Sequence, residues 1–149
     1  MGAEELRDAD AVTRLVDHAL ESVGGTCARL FLSAEDGLRM HTARNARKED
    51  LRREDVDAAG IANRVLRESR SFGDIQIRTS DRYVSISPGL HLEEFSVLAA
   101  PLRRGDVILG VLYVDATAKH KVFTAEDLRV VEAAADELAA ALEARERGT

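Results

Sequence analysis

Asp81, Arg82, Tyr83, His91, Glu93 and Glu94 fall within one aperiodic stretch, Ser69 to Glu94, that leads into apolar segments. A guanidinium, a phenol and an imidazole beside apolar strands are the usual makeup of a small-molecule pocket. Long irregular stretches inside small domains tend to be binding loops or mobile ones. Ligand contacts are therefore expected between Arg78 and Ser96, with Arg82, Tyr83, His91 and Ser96 as the preferred polar groups. The same cluster is also compatible with a solvated loop.

Other chemistries find less support. His18, His41, His91 and His120 are scattered singly, without a metal-ligand spacing, so no metal site is expected. Cys27 is the single cysteine, which excludes an intrachain disulfide, fits a reducing compartment and reads most simply as a small buried thiol. Ser69 and Ser71 stand outside any nucleophile-elbow pattern. Arg104-Gly105-Asp106 sits where a hairpin must turn and is read as that turn. The chain is therefore not expected to be an enzyme.

Charge narrows the partners. With a net charge of −6 over 149 residues, no overall positive field attracts nucleic acid or an anionic membrane. The densest basic stretch, Arg44 to Arg53, is interrupted and followed by acids and reads as a solvated loop face. Its N-terminal residues lack the apolar core of a secretory signal, and Val107 to Val114 is far shorter than a membrane span. A cytoplasmic location is expected. At 45% hydrophobic and 32% charged residues the balance is that of a folded chain, read as one domain over 1–149 with its core at about 10–144.

The elements that must hold these residues follow from periodicity. Val12, Leu15, Val16, Ala19, Leu20 and Val23 recur at helical spacing over Asp10 to Val23. Cys27 to Ser33 and Leu38 to Ala43 read as a hairpin across Asp36-Gly37, with Leu38, Met40 and Thr42 sharing a face. Val56 to Leu66 is predicted helical, weakened at Gly60. Phe95 to Leu102 and Val107 to Asp115 form a second hairpin. Its second strand is apolar on both faces and so should be central, with Val107, Leu109, Val111 and Tyr113 on one side and Gly110 admitting a close neighbour. Thr124 and Asp127 mark the capped start of a last helix carrying Leu128, Val131, Ala135, Leu138 and Leu142.

Val97 to Asp115, VLAAPLRRGDVILGVLYVD, followed by FTAEDLRVVEAAADELAAALE from Phe123, closely resembles the C-terminal half of GAF domains. Gly25 to Leu32 and the Asp36-Gly37 turn fit the front half more loosely, and the resemblance spans about Asp10 to Ala144. Ala43-Arg44-Asn45 is similar to GAF domains of enhancer-dependent transcription activators and histidine kinases. The resemblance implies an α+β, GAF-like and PAS-related fold. An antiparallel sheet should carry the N- and C-terminal helices on one face and a ligand-side loop and helix on the other.

Within that family, cyclic-nucleotide binders carry an Asn-Lys pair and a Phe-x-x-x-Asp-Glu motif. Here only Phe123 and Asp127 match, with Leu128 in place of the Glu, so cyclic nucleotide is disfavoured. Methionine sulfoxide-reducing relatives need a second thiol to resolve a sulfenic acid, and bilin-binding relatives place a cysteine on the ligand side, whereas Cys27 opens the first strand. The cofactor stays unnamed. The expected role is a sensory module that binds a small ligand, pairs with itself, or does both, to control an output such as a kinase or transcription activator. The competing readings are a filled-pocket dimerisation module and a methionine sulfoxide reductase-like enzyme. A homodimer is expected through the first and last helices, with Val130, Ala134, Leu138 and Ala141 at the contact.

Overall fold

The computed structural model describes residues 3–51, 55–79 and 92–147. In chain order these form α1 (Ala3–Val23), β1 (Cys27–Ala34), β2 (Gly37–Asn45), α2 (Val56–Glu68), β3 (Phe72–Thr79), β4 (Leu92–Arg104), β5 (Val107–Thr117) and α3 (Ala125–Arg147). The strands make one antiparallel sheet in the order β2-β1-β5-β4-β3. β5 is central, as its two apolar faces require, and is buried continuously from Gly110 to Ala116.

Each face of β5 has its own core. On one, Leu112 and Val114 meet Val12, Val16, Leu20 and Val23 of α1 and Val131, Ala135 and Leu138 of α3. On the other, Val111 and Tyr113 meet Ala58, Ile61, Ala62 and Val65 of α2, with Phe31, Val97 and Ala99 beside them. Helices therefore cover both faces, with the two terminal ones together.

Helix ends follow local chemistry. Thr124 Oγ1 accepts from Asp127 N at 3.1 Å while Asp127 Oδ2 accepts from Thr124 N at 2.9 Å, the reciprocal box that starts α3. Asp55 caps α2 by accepting from Ala58 N at 3.1 Å, and Ser69 ends it in the left-handed region at φ 54°. α1 begins at Ala3 rather than near Asp10.

Strict alternation fails at two bulges. Between β4 and β5 the register steps from Leu102↔Gly110 to Arg103↔Ile108, leaving Leu109 as the extra residue. Leu109 therefore packs with the α1/α3 core and not beside Val111 and Tyr113. Between β1 and β2 the step from Leu30↔Thr42 to Phe31↔Met40 leaves His41 extra, so Ala43 rather than Thr42 continues the face of Leu38 and Met40. A third departure is β3, which occupies part of the stretch read as aperiodic. It is an edge strand whose polar Asp74, Gln76 and Arg78 share the face covered by α2, so its pattern is inverted from the usual apolar-inside one.

Arg44 also departs from the solvated reading. It is half-buried and grips Asp17 of α1 through Nε and Nη2 at 2.8 and 2.9 Å, and Asp50 through Nη1 at 2.9 Å. Those hydrogen bonds, to Asp17 first, hold its pKa above the ordinary range.

Gly110 lies against the Phe31 carbonyl and the Leu32 Cα, so a Cβ there meets backbone on the neighbouring strand. Gly60, by contrast, has open space where a Cβ would stand. Gly110→Ala is expected to cost about 1–3 kcal/mol or more by overpacking. Gly60→Ala should stabilise by roughly 0.5–1 kcal/mol through helix propensity. Urea unfolding of both variants checks the pair; equal effects would refute the close approach at β1.

Candidate functional site

On the α2 face, four polar side chains stand where apolar ones would complete the core. β1 contributes Arg29, β3 Arg78, and β5 Tyr113 and Asp115; register places Arg29 opposite Tyr113, and Cys27 opposite Asp115. Exposure is 7% for Arg29, 8% for Arg78, 5% for Asp115 and 0% for Tyr113. Three strands thus bring two guanidinium groups, a carboxyl and a phenol into one buried patch.

The Tyr113 hydroxyl donates to Asp115 Oδ2 at 2.7 Å and accepts from Arg78 Nη2. Arg78 Nη1 donates to the same Asp115 oxygen at 3.3 Å, and its guanidinium lies over the rings of Phe95, at 4.9 Å, and Tyr113, at 5.8 Å. Asp55, the α2 cap, places Oδ2 3.7 Å from both Arg29 Nη1 and Arg78 Nη1. Arg29 reaches Asp115 only at 3.8 Å. Among the described residues, the buried Nε atoms of both arginines lack a hydrogen-bond partner.

Burial dominates the electrostatics. It raises the Asp115 pKa above its ordinary value, against the Tyr113 hydrogen bond and the charges of Arg29 and Arg78, which pull it down. Tyr113 is pushed far up, by burial first and then by Asp115, so its hydroxyl stays a donor. Burial pulls the Arg78 pKa down, but the Tyr113 contacts and the Asp115 charge outweigh it and leave the value raised. The Cys27 thiol is pushed up by burial and by Asp115, which disfavours a reactive thiolate.

Beside this patch is a cavity of about 680 Å³. Phe31, Leu38, Met40, Val56 and Ala59 give it apolar walls, and Asp36, Arg39 and Asp55 its polar rim. Its volume is that of a small-molecule site, roughly 300–1,000 Å³. The Asp55 carboxylate joins the cavity to the arginine pair. The arrangement can bind and orient a polar group at the end of an apolar body.

Of the residues expected at the site, Arg82, Tyr83 and His91 lie outside the described residues. Ser96 is buried, but on the opposite face, where its Oγ accepts from Phe123 N at 2.9 Å and holds the chain as it turns into α3. Arg78, the first residue of the expected segment, is in the patch. Of the residues expected to pair two chains, Leu138 is 0% exposed and Ala134 is also buried, both within the chain's own α1/α3 core. Val130 and Ala141 remain half-buried. Arg29, Asp115 and Asp55 were not among the expected site residues. Their signal was a lone charge at an inward position of an otherwise apolar strand, for Arg29 and Asp115, and an acid directly before a helix, for Asp55.

A five-stranded antiparallel sheet with the terminal helices on one face and a shorter helix on the other is an α+β architecture. Residues 7–143 match the family described as GAF domain, and the chain belongs to that family, one of sensory and regulatory signalling domains. Its fold is similar to GAF3 from Slr1393 of Synechocystis sp. PCC6803 in its photoproduct state, with TM-score 0.65, 12% identity, and 93% of this chain and 95% of that one covered. The GAF domain/HD domain protein from Geobacter sulfurreducens gives TM-score 0.65 at 14% identity, covering 98% and 99%. The GAF-B domain of DevS from Mycobacterium smegmatis gives 0.58 at 19%, covering 95% and 99%. No curated protein matches the sequence.

Tyr113→Phe leaves Arg78 and Asp115 each short of a partner and should cost about 1–3 kcal/mol in urea unfolding. The pH dependence has a definite sign. With the folded pKa of Asp115 raised above 3.8, its favourable contribution is full below that value and is lost as pH rises through the folded pKa. Wild type should therefore gain stability relative to Asp115→Asn as pH is lowered from 7 toward 4. Wild type losing stability relative to Asp115→Asn on acidification would reverse the assignment.

Proposed function

We propose that this GAF domain is a non-enzymatic sensor in the cytoplasm that binds a small organic ligand on its α2 face and passes occupancy to an output elsewhere, a kinase or transcription activator. One observation carries the reading: a buried Arg29–Arg78–Tyr113–Asp115 patch adjoins an apolar-walled cavity of about 680 Å³. Buried charged networks are poor stability devices, since apolar replacements of similar volume are often as stable or more so. Perturbed titrating groups beside a cavity are instead a mark of binding sites. A single free cysteine with a raised pKa supports a non-redox role. No helix among the described residues is long and apolar enough to cross a membrane.

Homodimerisation through α1 and α3 belongs to the same proposal. Val130 and Ala141 supply the partly exposed surface, while Leu138 and Ala134 back it from inside. A filled-pocket dimerisation module is the competing reading, and one measurement separates the two. Native mass spectrometry of the purified chain should show a dimer with a retained small molecule; a dimer that stays ligand-free across metabolite extracts would favour the scaffold. Val130→Glu with Ala141→Glu should give a monomer by light scattering with a cooperative thermal transition. A wild type that is monomeric at high protein concentration would remove the pairing part.

A further inference from the structure

The patch under α2 is rich in donors and poor in acceptors. Two guanidinium groups carry ten N–H donors. Hydrogen bonds to described residues engage only Nη1 and Nη2 of Arg78, while both Nε atoms are buried without a hydrogen-bond partner, that of Arg78 lying 3.9 Å from Asp57 Oδ2. Asp115 Oδ2 is already shared by Tyr113 and Arg78, and Asp55 Oδ1 is committed to Ala58 N. Charge points the same way. Arg29, Arg78 and Asp115, each more than nine-tenths buried, sum to one positive charge. Asp55 and Asp57, the acids of the α2 start, have side chains 25% and 63% exposed, and Glu93 stands across from Arg78 in register.

We propose that this site takes a small organic monocarboxylate, whose carboxylate displaces Asp55 Oδ2 from Arg29 and Arg78 while its apolar body fills the cavity against Phe31, Met40 and Ala59. The proposal rests on the α2-face binding reading and names its ligand class. A carboxylate matches the guanidinium fork with two acceptors and replaces the negative charge of the displaced Asp55. A neutral amide brings one acceptor and more donors, and an amidinium brings only donors, so both leave the arginines unsatisfied. The apolar walls select an acid with a hydrocarbon body over inorganic oxyanions. Asp55 is the group that must yield, because its contact with the arginines, at 3.7 Å, is an ion pair beyond hydrogen-bond length. Since Asp55 also caps α2, occupancy is coupled to the start of that helix.

The test uses the 149-residue chain with benzoate, benzamide, benzamidine and inorganic phosphate as probes, followed by titration calorimetry and backbone amide shifts. Benzoate should shift amides of β1 and the first turn of α2 and bind at least tenfold more tightly than the other three. Arg29→Gln should weaken benzoate at least tenfold. Asp55→Asn, which keeps a capping side chain, should tighten it, and this arm stands even where Arg29→Gln fails to melt cooperatively. Equal binding of benzamide, preference for benzamidine or phosphate, or unchanged affinity in Asp55→Asn would overturn the carboxylate. If a neutral or cationic probe shifts this face, the ligand class falls and the sensor reading survives. If no probe does, the carboxylate falls, and a small molecule retained in the native mass spectrum decides whether the sensor reading survives it.

Discussion

β5 is paired on both edges and covered on both faces, and every other element answers to that constraint. A strand buried continuously from Gly110 to Ala116 needs an apolar layer above and below it. The long helices α1 and α3 form one layer together, and α2, 13 residues and so about 20 Å long, is what the described chain supplies for the other. One helix of that length covers part of a five-stranded face. The cavity of about 680 Å³ and the arginine patch lie on the same face. The two-helix layer opposite is packed as an ordinary core.

Placing charge beneath so thin a layer sets a balance between desolvation and partnership. Asp115 shows which wins: two guanidinium groups and a phenol hydroxyl all favour its ionised form, yet burial still leaves the pKa raised. An extra acceptor near the arginines would relieve their unmatched donors without touching that carboxyl. The network therefore stays incompletely satisfied, with both arginine Nε atoms short of a hydrogen bond. Leucines in the same positions would remove the desolvation cost.

Much of the fold was legible because its determinants are local. The apolar doubling of Val107 to Val114 marked the central strand, Asp36-Gly37 the first turn, and Thr124 with Asp127 the last helix start. Bulges at His41 and Leu109 were not legible, since an extra residue changes which side chains share a face without changing composition. β3 escaped because its inward residues are polar. The buried polar patch was legible least. Arg29, Arg78 and Asp115 lie far apart in sequence and meet only through the registers of three strands, whereas clustering in sequence drew attention to Arg82, Tyr83 and His91. Ser96 shows the same limit: its neighbours in sequence did not reveal that it faces α3.

The sheet is also the physical link between the two faces. Tyr113 and Val114 are consecutive, one under α2 and one under α1 and α3, so a displacement of β5 backbone at the patch reaches both cores within one residue. At the start of β1, Thr26 N donates to the Asp115 carbonyl at 2.8 Å, and Gly25 is crowded by Leu20 of α1 and Val114. The carboxyl residue of the patch is therefore tied through its own backbone to the end of α1. A second tie runs through Arg44, which joins Asp17 of α1 to Asp50 in the connection leading toward Asp55 and α2. Close packing makes such ties effective, because interiors yield little before they rearrange. Any movement of Asp55 and α2 acts on a sheet whose far side carries both terminal helices.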